Sequence, residues 1–151
     1  TRALEDAGCH CLALCPGIAY CISNRLATGV VQHLGEDRRL VFGSAGTRGA
    51  AMQERLLAVQ EVMQAADIRA ELSDNVQQSL WRKYVVILSF AGITGLTRAP
   101  AGQIREDEHA MGLFRQLTHE AALVAAAEGF DLPDVREDVA GLLHRIAPDS
   151  K

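Results

Sequence analysis

Lys83 is the one internal lysine of this 151-residue chain: its fifteen basic residues are thirteen arginines and two lysines, and the other lysine is the terminal Lys151. It stands at the entrance to the longest apolar stretch, Trp81-Arg82-Lys83-Tyr84-Val85-Val86-Ile87-Leu88-Ser89-Phe90-Ala91-Gly92-Ile93. An ammonium held beside buried hydrocarbon loses hydration and releases its proton more readily, as a general acid working near neutral pH requires. Lys83 is therefore the candidate for proton transfer. The competing structural reading is a lysine whose stem packs on Ser79 or Ile87 while its head reaches water.

The other residues with chemical potential point to structure. Four cysteines crowd the N-terminal end as Cys9-x-Cys11-x3-Cys15-x5-Cys21, with His10 between the first two. A structural zinc site uses two knuckles separated by a longer loop, so the spacing fits metal poorly and reads as small buried thiols in a reducing compartment. His33, His109, His119 and His144 are scattered and read as solvated or locally bonded. Glu120 falls on the inner side of a largely apolar helix, as a partner for a helix terminus or for Arg98. The run Arg105-Glu106-Asp107-Glu108 reads as a helix start whose acids suit the positive end of the helix dipole.

Elements must position these groups. Segments 17–22, 29–34 and 39–43 are β-rich, with a polar turn at Gly35-Glu36-Asp37, and predict three short antiparallel strands. Gly43-Ser44-Ala45-Gly46-Thr47-Arg48-Gly49 marks a linker, which places a boundary near residue 46 and divides the chain into 1–45 and 46–151. Beyond it Met52, Leu56, Val59 and Val62 or Met63 form an apolar stripe on a helix ending near Ala66, followed by a strand over 68–72. Ser73 reads as an N-cap, with Asp74 in the first turn, for a helix through Trp81 and Lys83 toward Leu96. Its second half is apolar nearly all round and predicts a central, buried helix. Pro100 and Gly102 interrupt the pattern. A third helix spans about 106–128, with Met111, Phe114, Leu117, Ala121, Val124 and Ala125 inward and Gly129 as its C-cap; a fourth follows Pro133 over about 134–146. Strands first and helices second give an α+β arrangement.

Composition narrows the function classes. Apolar residues are 48% of the chain and charged residues 23%, the balance of an ordinary globular protein. A net charge of -4 and a pI near 5.7 argue against a nucleic-acid footprint. The sequence has neither an uncharged apolar run of membrane-spanning length nor a basic stretch followed by an apolar one, so the expectation is a cytoplasmic protein without a membrane partner.

Two blocks carry a resemblance. Leu80-Trp81-x-Lys83, followed by Gly92-Ile93-Thr94-Gly95-Leu96-Thr97-Arg98-Ala99-Pro100-x-Gly102-x-Ile104, resembles the ketopantoate reductase (2-dehydropantoate 2-reductase) family. Gly29-Val30-Val31-Gln32-His33-Leu34-Gly35 and Leu40-Val41-Phe42-Gly43 look like the last strands of that family's nucleotide-binding domain. Glu120 with Ala125-Ala126-Ala127-Glu128-Gly129 looks like one of its helices. The resemblance implies the end of a Rossmann-type domain followed by a helical domain like the C-terminal one of 6-phosphogluconate dehydrogenase. It also implies NADPH-dependent reduction of a 2-keto acid, with Lys83 protonating the carbonyl oxygen. The apolar surface that the family's further helices would cover predicts self-association as a homo-oligomer, a dimer being the simplest form. Cys21 matches a position whose backbone faces the cofactor.

Departures from the family pattern bear on substrate and extent. Family members confirmed on ketopantoate carry asparagines at the positions that are Ile87, Ala91 and Ala101 here; with Ser150, these are the expected substrate-pocket residues. Apolar groups there remove hydrogen bonds to a hydroxylated keto acid and favour a more apolar one. No Gly-x-Gly-x-x-Gly occurs, since Gly43, Gly46 and Gly49 have a different spacing, so the chain reads as the middle of a reductase that is inactive alone. The alternative from another class is a helical dimerisation module without catalysis.

Overall fold

A computed structural model describes residues 15–44 and 49–150, an α+β arrangement of a small sheet followed by helices. By contact it forms two compact units, Thr1–Ser79 and Leu80–Lys151.

In the first unit, β1 (Gly17–Ala27) and β2 (Val30–Phe42) pair antiparallel around the two-residue loop Thr28-Gly29, where Gly29 takes a φ of +77° that a glycine adopts without strain. The three expected short strands are thus two long ones. Tyr20 pairs with Arg39 but Ile22 with Leu34, so the predicted turn at 35–37 is a bulge within β2. The chain returns through α1 (Ala50–Ala65) to β3 (Arg69–Leu72), which pairs parallel to β2. The helix packs on the sheet through Leu56, Met52 and Met63 against Phe42 and Ala70. Val59 and Val62, expected inward, are exposed, Val62 by 71%. Gln60 turns inward instead, its Nε2 donating to Ala70 O at 2.9 Å. The division by contact falls between Ser79 and Leu80, within the helix that follows β3, while residues 45–48 lie outside the described residues.

The next helix, α2 (Val76–Thr97), forms where expected, with its cap two residues later. Asn75 Oδ1 accepts the Gln78 N–H at 3.0 Å, while Ser73 Oγ instead meets Ser79 Oγ at 3.2 Å. The remaining helices are α3 (Ala101–Glu106), α4 (Glu108–Ala127) and α5 (Val135–Arg145). The helix expected over 106–128 thus starts at Glu108 behind a separate short turn of helix. Asp107 makes the break: its carboxylate accepts the His109 and Ala110 N–H groups, and those bonds hold its pKa below the ordinary carboxylate value. The α4 end matches the Gly129 expectation, with φ +87° and the Phe130 N–H bonded to Ala125 O at 2.9 Å.

The core of the second unit gathers Val85 and Ile93 of α2, Phe114 and Ala121 of α4, and Val139 and Leu143 of α5. Gly92 lets Leu117 approach α2, since a Cβ there would lie 3.3 Å from Leu117 Cδ1. Beside it the buried hydroxyls of Ser89 and Thr118 meet at 3.0 Å. Each also reaches a carbonyl one turn earlier in its own helix, Val85 at 2.8 Å and Phe114 at 2.9 Å, so no polar atom is stranded.

Arg105 joins the ends of two helices. Its Nη1 donates to the carbonyls of Leu143, His144 and Ile146 at 2.9, 3.2 and 3.0 Å, satisfying the C-terminus of α5. In return Ser150 O and Pro148 O accept the Ala101 and Gly102 N–H groups at the start of α3, at 2.9 and 2.8 Å. Arg105→Met keeps the stem and deletes the donors, and is expected to destabilise the protein by roughly 2 kcal/mol, read as a lower urea midpoint at unchanged slope. An unchanged midpoint would show water replacing the guanidinium at no cost.

Candidate active site

The face of α2 that carries Lys83 is set by what its other faces bury. Val85, Ser89 and Ile93 are fully buried on the inward side. With 3.6 residues per turn, Lys83, Ile87 and Ala91 then share a different face, one turn apart. Lys83 is half-buried at the flank of an uncovered apolar stripe in which Tyr84 is 52% and Ile87 51% exposed, with Leu88 and Ala91 also open. The helix expected to be buried all round is therefore buried on one side only.

Two contacts fix the first turns of α2 in the second unit. The Trp81 ring meets Tyr84 edge-on at 5.6 Å and lies 6.2 Å from Phe130. On the next flank Arg82 pairs through Nη1 with the Asp138 carboxylate and donates from Nη2 to Pro133 O at 2.7 Å. Lys83 follows directly. Neither Arg82 nor Arg105 stands out in the sequence as a site residue, because their acceptors lie about forty to fifty positions away.

The other predicted site residues are distributed. Ala101 is fully buried at the start of α3, in the cluster that holds Val85 and Ile93, and meets Ser150 through the backbone bond described above. Cys21 lies on β1 in the other unit, beside the bulge, and is exposed, as is Cys15. That corrects the expectation of buried thiols for these two; Cys9, His10 and Cys11 lie outside the described residues. Among the described residues no group of His, Cys, Asp and Glu is arranged to hold a metal ion, and no helix is long and apolar enough to cross a membrane. Glu120, expected inward, is exposed and accepts from Gln116 Nε2 at 2.9 Å. His119 Nδ1 meets Arg136 Nη2 at 2.6 Å. A groove of about 420 Å³ opens between the end of α4 and the start of α5, lined by Leu123, Leu132, Val135 and Arg136 among others, and none of the predicted site residues lines it.

Residues 75–150, half of the chain, match the family model described as ketopantoate reductase PanE/ApbA C terminal. The chain belongs to the ketopantoate reductase family. Lys83, Ile87, Ala91, Ala101 and Ser150 all fall in the matched stretch, and Cys21 lies outside it. An uncharacterized oxidoreductase of Bacillus subtilis, YkpB, is 30% identical over 102 residues, covering 67% of this chain and 32% of its own. The 2-dehydropantoate 2-reductase structure from Methylococcus capsulatus aligns with a TM-score of 0.79 at 24% identity, over 97% of this chain and 50% of that one. A dimeric ketopantoate reductase from Staphylococcus aureus aligns with a TM-score of 0.73 at 23% identity, over 90% of this chain and 44% of that one. The ketopantoate reductase-like chain thus spans about a third of its curated relative and up to half of the solved chains.

Proposed function

We propose that this chain is the proton-donating and substrate-shaping part of an NADPH-dependent 2-keto acid reductase, with Lys83 as the acid. The observation that carries the reading is a half-buried lysine within the family-matched stretch, at the edge of an open apolar stripe. In this reading the keto acid lies along α2 with its carbonyl oxygen at the Lys83 ammonium. The cation stabilises the developing alkoxide and then gives it a proton, leaving a 2-hydroxy acid. NADPH would supply the hydride to the carbonyl carbon. The 151 residues contain no Gly-x-Gly-x-x-Gly turn to cradle its phosphates, so in this reading these residues alone do not reduce the keto acid. The βαβ arrangement of β2, α1 and β3 supports taking the opening strands as the close of a nucleotide-binding domain.

The stripe also bears on the substrate. Ile87, one turn beyond Lys83 and half exposed, offers hydrocarbon and no hydrogen bond. The favoured substrate is a 2-keto acid with a branched apolar tail. Trimethylpyruvate differs from ketopantoate only by lacking the terminal hydroxyl, which makes the pair a direct probe. In the full-length protein, NADPH oxidation is expected to be faster with trimethylpyruvate, and Ile87→Asn to shift the ratio of kcat/KM toward ketopantoate by about tenfold or more. Preference for ketopantoate in the unsubstituted protein would refute the apolar assignment.

A second reading, self-association, is favoured by the same uncovered stripe and by the dimeric state of the Staphylococcus aureus relative. It is compatible with catalysis if the two uses divide the stripe, with Lys83 and Ile87 facing substrate.

A further inference from the structure

We infer that Arg82 is a positioning residue that holds Lys83 in its working orientation, an inference that rests on Lys83 being the proton donor. Both Nη atoms of Arg82 are held by one segment: Nη1 on the Asp138 carboxylate and Nη2 on Pro133 O at 2.7 Å. The segment is itself anchored, because Leu132, Val135 and Val139 are all buried in the core. Trp81 adds a second hold one residue earlier, through its ring contact with Phe130.

The geometry makes this hold matter for the next residue. Arg82 and Lys83 leave the helix about 100° apart, so an anchor on one fixes the azimuth of the other. A lysine nitrogen stands several ångströms off the helix axis, and a rotation of α2 by some 15° would sweep it through about 2 Å. Misplacement of a catalytic group by about 1 Å can cost on the order of a hundredfold in rate. For stability the pair counts for little, since the two side chains are 37% and 45% exposed and such pairs are weak. The two roles therefore separate in experiment.

In the full-length reductase, Arg82→Ala is expected to lower kcat by about tenfold or more, leave the KM for NADPH unchanged and shift the melting temperature by no more than about 3 °C. Asp138→Asn, which keeps volume while weakening the pair, is expected to lower kcat in the same direction by a smaller factor. Arg82→Lys cannot span both acceptors and is expected to restore little. The deciding measurement is the double substitution: in a Lys83→Ala background, Arg82→Ala should cause no further loss, because its effect passes through the absent amine. If Lys83→Ala loses about a hundredfold with a measurable residual rate and Arg82→Ala either keeps the full kcat or adds its whole loss to the double variant, the positioning role is overturned and the proton-donor reading survives. If Lys83→Ala keeps its rate, both fall together.

Discussion

If Lys83 is the proton donor proposed above, Lys83→Ala in the protein that carries this chain is expected to lower the rate of keto acid reduction by at least about a hundredfold, with NADPH affinity unchanged. The size follows from what the side chain would do at two moments. As charge grows on the carbonyl oxygen, a nearby ammonium would stabilise it, and afterwards the same nitrogen would deliver the proton. Lys83→Arg separates these contributions. A guanidinium keeps the charge but holds its proton far above neutral pH, so this variant should recover part of the electrostatic effect and little of the transfer. A small primary amine added to Lys83→Ala should restore some turnover, since removal of the side chain leaves room along the stripe. The check is steady-state NADPH oxidation with saturating keto acid. Retention of more than about a tenth of the rate would rule out the general-acid role.

Gly43→Ala is expected to produce the largest loss of stability, roughly 2–4 kcal/mol. A Cβ at Gly43 would lie 2.6 Å from Ser73 O and 3.2 Å from Val76 Cβ. Neither obstacle is the far end of a flexible side chain: one is backbone and the other is the root of a residue 1% exposed. Relief requires the end of β2 to move away from the turn that launches α2. That strains the bond from the Ser73 N–H to Phe42 O at 2.8 Å and the bond from the Gly43 N–H to Pro16 O at 3.2 Å. At about 2–4 °C per kcal/mol for a chain of this size, the melting temperature should fall by some 5–15 °C. Gly95→Ala is the control, because a Cβ there meets nothing within 4 Å. Equal melting temperatures for Gly43→Ala and the unsubstituted chain would refute the close approach.

The helix that carries Lys83 was legible because its apolar period runs over more than five turns before Pro100, and nothing in the tertiary structure overrides so long a pattern. The family resemblance, carried by the Trp-x-Lys and Pro-x-Gly blocks, agrees with the matched stretch. Local composition failed where it serves two purposes. The polar triplet at 35–37 suits a hairpin turn and equally a bulge, and only the partner strand decides. On α1, Val59 and Val62 look as apolar as Met63, yet the inward face is set by where Phe42 and Ala70 lie. The acidic run at 106–108 hid a helix break because Asp107 serves as a cap while its neighbours remain helical.

The exchange of caps between α3 and α5 has a consequence for the order of assembly. A helix of six residues, Ala101–Glu106, has too few internal bonds to persist by itself. Its first N–H groups are closed only by carbonyls from the segment after α5, and the last carbonyls of α5 are closed by a side chain from α3. Neither end can be completed before the other arrives, so the caps of α3 and α5 close together, each satisfying groups the other helix leaves open.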